Sequence, residues 1–91
     1  MPEMTEAELA EIESRCARAS SGPWRPMIEG RDHTSGSSFL MAGPADARND
    51  DIELSGATPA DYDFIAHARH DLPRLLEEVR RLRALLAARL R

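Results

Sequence analysis

The chain is 91 residues long, carries a formal net charge of -4, and is 42% hydrophobic but only 4% aromatic. That length makes one domain, 1–91, and a domain so small buries roughly 60% of its unfolded surface, which makes oligomerisation a common remedy. The acidic balance argues against a protein that holds duplex nucleic acid by neutralising phosphates, because such proteins present a basic face.

The acidic opening, Met1-Pro2-Glu3-Met4-Thr5-Glu6, lacks the apolar core of a signal peptide. No run of about 18 apolar residues follows to span a bilayer. The expected compartment is therefore the cytoplasm, with no membrane partner. Thr5 and Glu8 form the spacing of a capping box and predict a helix over 5–20. Leu9, Ile12, Cys16 and Ala19 trace its narrow apolar stripe. Cys16 is the sole cysteine, so an intrachain disulfide is excluded, and it reads as a small apolar residue. Ser20-Ser21-Gly22-Pro23 ends the helix, with Gly22 suited to a left-handed cap.

The region 24–57 reads as strands and loops. Trp24 to Glu29 is a strand that Pro26 confines to an edge or to its start. A polar turn spans Gly30 to Gly36. Ser37 to Ala42 is the strongest strand, and Asp51 to Leu54 alternates as a third short one. Thr58-Pro59-Ala60-Asp61 then announces a helix over 59–70. Pro73 predicts a break, with Asp71 capping a last helix over 72–90. Leu72, Leu75, Val79, Leu82 and Leu86 step by three and four along it. Such a seam either covers the chain's own sheet or zips against another copy, and the excess of leucine favours the copy. The expected fold is α+β: an N-terminal helix, a small antiparallel sheet of about three short strands, and two C-terminal helices. The last of these is an oligomerisation helix.

All twelve basic residues are Arg. Codon usage is the plainer explanation, although the Arg fork also suits phosphate and stacking. His67 and His70 have a spacing found in metal sites, but the pattern fixes no third ligand, so no metal is expected. No nucleophile elbow, phosphate loop or Cys/His pairing is present, so no catalytic residue, no enzyme activity and no cofactor are expected. Trp24 beside Arg25, Phe39 on a strand, and Asn49, Asp50 and Asp51 in a loop are the group types a nucleotide-like ligand requires. The alternative is that Trp24 and Phe39 form the core and the Asn/Asp run is a turn.

Two stretches carry a resemblance. Ser21-Gly22-Pro23-Trp24 follows an acidic helix, and Phe64-Ile65-Ala66-His67-Ala68-Arg69-His70-Asp71-Leu72-Pro73 runs into a leucine-rich tail. Together they resemble the small Ead-like proteins of phages and prophages, a subset of which is similar to the Thoeris anti-defence sponges. The resemblance implies an α+β homo-oligomer, a dimer or higher up to a hexamer, in the host cytosol. It also implies sequestration, without cleavage, of cyclic ADP-ribose signals or cyclic oligonucleotides. It implies that Phe39 stacks on adenine with Trp24 beside it, while Asn49 and Asp51 contact the ribose. Arg25, Arg31 and Arg69 are the phosphate candidates. Assembly through the terminal helix is expected to bring loops of two subunits around one ligand.

Overall fold

A computed structural model describes residues 3–91, so Met1 and Pro2 of the acidic opening lie outside the described residues. The order is α1 (Glu6–Arg18), β1 (Trp24–Met27), β2 (Phe39–Ala42) and α2 (Pro59–Arg89). The architecture is α+β. Local chemistry starts both helices. The Thr5 hydroxyl accepts from the Glu8 amide at 3.1 Å, and the Glu8 carboxylate accepts from the Thr5 amide at 2.9 Å. Thr58 and Asp61 repeat this reciprocal cap at 3.1 and 2.9 Å. The end of α1 differs from expectation. Ala19 caps it in an extended conformation, the Gly22–Pro23 peptide is cis, and Gly22 is not left-handed. The chain turns directly from Ala19 into β1 and needs no left-handed residue to do so.

The two strands pair antiparallel, with Trp24 opposite Ala42, Pro26 opposite Leu40 and Met27 opposite Phe39. Both are shorter than the spacing predicts because side chains take over the ladder. The Ile28 amide donates to Asp32 Oδ2 at 2.8 Å, and the Glu29 amide donates to Ser38 Oγ at 3.0 Å. The expected third strand reduces to one bridge, Ile52 to Leu40, with reciprocal bonds of 2.8 and 2.9 Å. It goes no further because the Leu54 amide donates to the Tyr62 hydroxyl instead, at 3.0 Å. That hydroxyl in turn donates to the Ser38 carbonyl at 3.1 Å, so one buried tyrosine ties two loops to α2.

The predicted pair of C-terminal helices is a single helix of 31 residues that runs through Pro73. An interior proline removes one helical hydrogen bond and costs roughly 3 kcal/mol. The helix survives because α1 lies antiparallel beside it and grips it on both sides of the proline. Arg69 Nε donates to the Ser20 carbonyl at 2.9 Å before Pro73. After it, Arg80 pairs with Glu13, and Arg83 pairs with Glu6 at 3.0 Å. Asp71, the expected cap of a second helix, is an ordinary interior residue of the first.

Ile28, Leu40, Tyr62 and Ala66 form the core between sheet and helix, with Trp24, Ile52, Leu54 and Ile65 packed around them. Leu9 and Leu76 are the buried residues of the α1–α2 hairpin. The expected seam takes no part in this. Leu72, Leu75, Leu82 and Leu86 are exposed, the last at 60%, and Val79 is half-buried. The chain's own sheet is covered by Tyr62, Ile65 and Ala66, so the intrachain role open to the leucines is already filled. No helix among the described residues is long and apolar enough to cross a membrane.

Candidate functional site

Helical geometry sets Ala66, Arg69, His70, Pro73 and Arg74 along one side of α2, three and four residues apart. The start of β1 runs beside them. Between the two lies an open groove of about 660 Å³, bordered by Trp24 and Arg25 from the strand and by His67, Arg69, His70 and Arg74 from the helix. A volume of this order suits a small ligand. No acidic side chain borders the groove, although the whole chain is acidic.

Its two central side chains are held by one atom. The Ser20 carbonyl, just past α1, accepts from Trp24 Nε1 at 3.0 Å and from Arg69 Nε at 2.9 Å. The indole and the guanidinium therefore sit side by side with their orientations fixed. Arg69 spends only Nε in this bond. Its two terminal nitrogens make no hydrogen bond to another side chain or carbonyl among the described residues. None of Arg25, Arg69 and Arg74 forms an ion pair among the described residues. His67 Nδ1 donates to the Asp63 carbonyl at 2.7 Å, which leaves its Nε2 for another partner. An aromatic surface, a preset Arg fork and further cations around one cavity can hold a planar ring bearing a phosphate.

The structure brings together three of the seven expected ligand residues: Trp24, Arg25 and Arg69. It separates the others. Phe39 lies across from Met27 at the far end of the ladder, three residues along from the pair Trp24 and Ala42 and so on the other face of the sheet, and packs its ring on His33 with centroids 5.0 Å apart. His33 is itself anchored, its Nε2 donating to the Met27 carbonyl and its Nδ1 accepting from the Ser35 amide, both at 3.1 Å. Asp51 pairs with Arg48 at 2.6 Å. The Asn49 amide donates to the Ala42 carbonyl at 2.9 Å, which draws that loop along β2, while its side chain is exposed.

Arg31 is already committed. It makes a two-pronged contact with Asp63, both bonds 3.0 Å, and its Nε donates to Asp32 at 3.1 Å. These bonds raise the guanidinium above its ordinary value and hold both carboxyls below the usual carboxylate range, with the Ile28 amide adding to the effect on Asp32. Both prongs that would grip a phosphate are filled by carboxylate.

His67, His70 and Arg74 belong to the groove but were not singled out as binding residues from the sequence. Their spacing of three and four is a readable signal. Placing a helix break at Pro73 put Arg74 on a separate helix and hid it. Among the described residues, no three of His, Cys, Asp and Glu converge as a metal-binding group. Comparison with known protein families, with curated proteins and with solved structures finds no match to this chain.

Proposed function

We propose that this chain is a non-catalytic binding protein that retains a nucleotide-derived anion in the groove between β1 and α2. The observation that carries the reading is the pair Trp24 and Arg69, locked side by side on the Ser20 carbonyl within a border free of acids. Preset groups lose little freedom on binding, which favours affinity. The stacking surface takes a base, Arg69 takes a phosphate oxygen pair, and Arg25 and Arg74 add local positive potential that outweighs the net charge. The resemblance to phage anti-defence sponges narrows the ligand to a cyclic ADP-ribose isomer or a cyclic oligonucleotide, held intact so that it cannot act as an immune signal.

The test is retention. Purified protein is incubated with cyclic ADP-ribose isomers and cyclic di- and trinucleotides, washed, heated, and the released species identified by mass. An unaltered ligand should return, and Arg69→Ala should weaken binding about 10- to 100-fold, the usual worth of a charged hydrogen bond. Phe39→Ala should leave retention unchanged. Loss of binding in Phe39→Ala alone would move the site to the outer side of the sheet, and a cleaved product would make the protein an enzyme. A second reading follows from the exposed leucines of α2: an interaction module of phage origin that docks a host protein on its C-terminal helix. A stoichiometric host partner, together with an empty ligand screen, would favour it.

A further inference from the structure

We propose that the exposed seam of α2 is covered by the same seam of a second copy, the two helices running parallel and in register. The seam is longer than the leucines alone suggest. Ile65, Ala68, Leu72, Leu75, Val79, Leu82 and Leu86 follow one another in unbroken steps of three and four, the repeat of a two-stranded coiled coil. Leu76, which breaks that rhythm, is the one buried against the chain's own α1 side. Pro73 also lies off the seam. Tyr62, Ala66 and Leu76 therefore serve chain folding, Ile65 stands half-buried at the border of core and seam, and Leu72, Leu75, Leu82 and Leu86 are left exposed.

The amount of bare surface fits a partner. The chain exposes 6884 Å², about 1,600 Å² more than the roughly 5,300 Å² of a compact chain of this mass. A standard interface takes about 800 Å² from each partner, so the elongated chain, 59 Å in its longest extent, has twice the area that one such interface needs. Ile65, Ala68 and Leu72 also floor a second, largely apolar groove of about 410 Å³, whose other wall is Ile12, Cys16 and Ala19 of α1. The seam thus widens into a trough at the head end.

The flanking charges choose the partner and its direction. Asp71 and Glu78 border the seam on one flank, Arg69 and Arg83 on the other. In a parallel pair each flank meets the opposite flank of the neighbour, five residues on, so Glu78 meets Arg83 of the partner subunit. Within one chain both Glu78 oxygens accept from Arg81, and Arg83 donates to Glu6 and to the Met4 carbonyl but keeps its Nε–H, so the pair between copies shares these exposed groups and adds to direction more than to affinity. An antiparallel pair sets acid against acid and Arg against Arg. Self-complementarity of this kind has no purpose against a foreign helix. The composition leans the same way: Ile65 and Val79 alternate with Leu72 and Leu86 in one set of seam positions, and Ala68, Leu75 and Leu82 fill the other, so the β-branched residues fall in one set only, as in two-stranded pairs.

The trough and the basic groove share Trp24 and Arg69 at their border, whereas Leu75, Val79, Leu82 and Leu86 border neither of the two. Sedimentation of the purified chain across a concentration series tests the pairing, and a mass of two chains is expected. For direction, Ala88→Cys is spin-labelled in a Cys16→Ala background, which keeps the trough wall apolar, both sites lying outside the core. Parallel helices 8–10 Å apart place the labels within about 20 Å, whereas antiparallel helices centred on the same seam place them about 35 Å or more apart. The short distance is expected, and Leu82→Glu should lower the association constant at least 100-fold and leave single chains. A single-chain mass at every concentration, a mass of three or more chains, or the long distance would each overturn the proposal.

Discussion

The two long sides of α2 differ in what they touch. One side is clothed and polar: Asp63 receives Arg31, Arg69 reaches Ser20, and Arg80 and Arg83 hold α1. The other is bare and apolar, from Phe64 at 74% exposure to Leu90 at 79%. The difference teaches where specificity and affinity come from in a very small domain. Fixed hydrogen bonds orient a few groups around a groove, whereas the leucine area carries no such fixed geometry and stays exposed. A 31-residue helix is what allows both, since the head covers only part of its length.

The largest expected effect is a clean separation of the two sides. A double variant, Leu75→Glu with Leu82→Glu, places two charges in the seam and should lower self-association by about 1,000-fold or more, given roughly 1.5–3 kcal/mol for each buried Leu before the penalty for the charges. Calorimetric titration with whichever nucleotide is retained should give an unchanged affinity per chain and a stoichiometry of one. A fall in ligand affinity together with the loss of mass would mean that two subunits share one ligand, and the sides would not be independent.

The next effect concerns the continuity of α2. If the helix is one rod spliced by α1, Pro73 is a net cost, and Pro73→Ala should restore the hydrogen bond to the Arg69 carbonyl. The expected gain is about 1 to 3 kcal/mol in chemical denaturation, below or up to the full cost of an interior proline because the neighbouring structure has adapted to it. A loss of stability would show that a bend at Pro73 is needed, either to seat α1 or to open the groove that Pro73 borders.

What the sequence makes legible is local. Both capping boxes follow from residues three apart, and both are present as read. The seam follows from spacing alone. The splint across Pro73 does not, because Arg80 and Arg83 find Glu13 and Glu6 at separations of 67 and 77 residues. No pattern of charges announces those partners. The third strand stops short for a similar reason: alternation in Asp51–Leu54 is real, but Tyr62 claims the Leu54 amide from another element. The site was half legible. Trp24 and Arg69 were recognisable by type, yet only the fold shows that the carbonyl of Ser20 joins them. Arg31 was equally plausible by type, and the fold gives it to Asp63.

That last pairing yields the smallest prediction and the finest probe of the clothed side. Arg31 holds the carboxyls of Asp32 and Asp63 below the ordinary carboxylate value, largely through its hydrogen bonds. A carboxyl depressed in the folded state contributes stability above its unfolded value of about 3.9, and that contribution is lost as pH falls below it through the depressed folded values. The groups are exposed, so the effect is modest and screened by salt. Wild type should therefore exceed Arg31→Gln in urea midpoint at pH 6, and the gap should narrow progressively between about pH 4 and pH 2 as Asp32 and Asp63 take up protons. A gap that persists unchanged in acid would mean that Arg31 supports the turn after β1 by packing its side-chain stem, and that the clothed side of α2 owes little to charge at its head end.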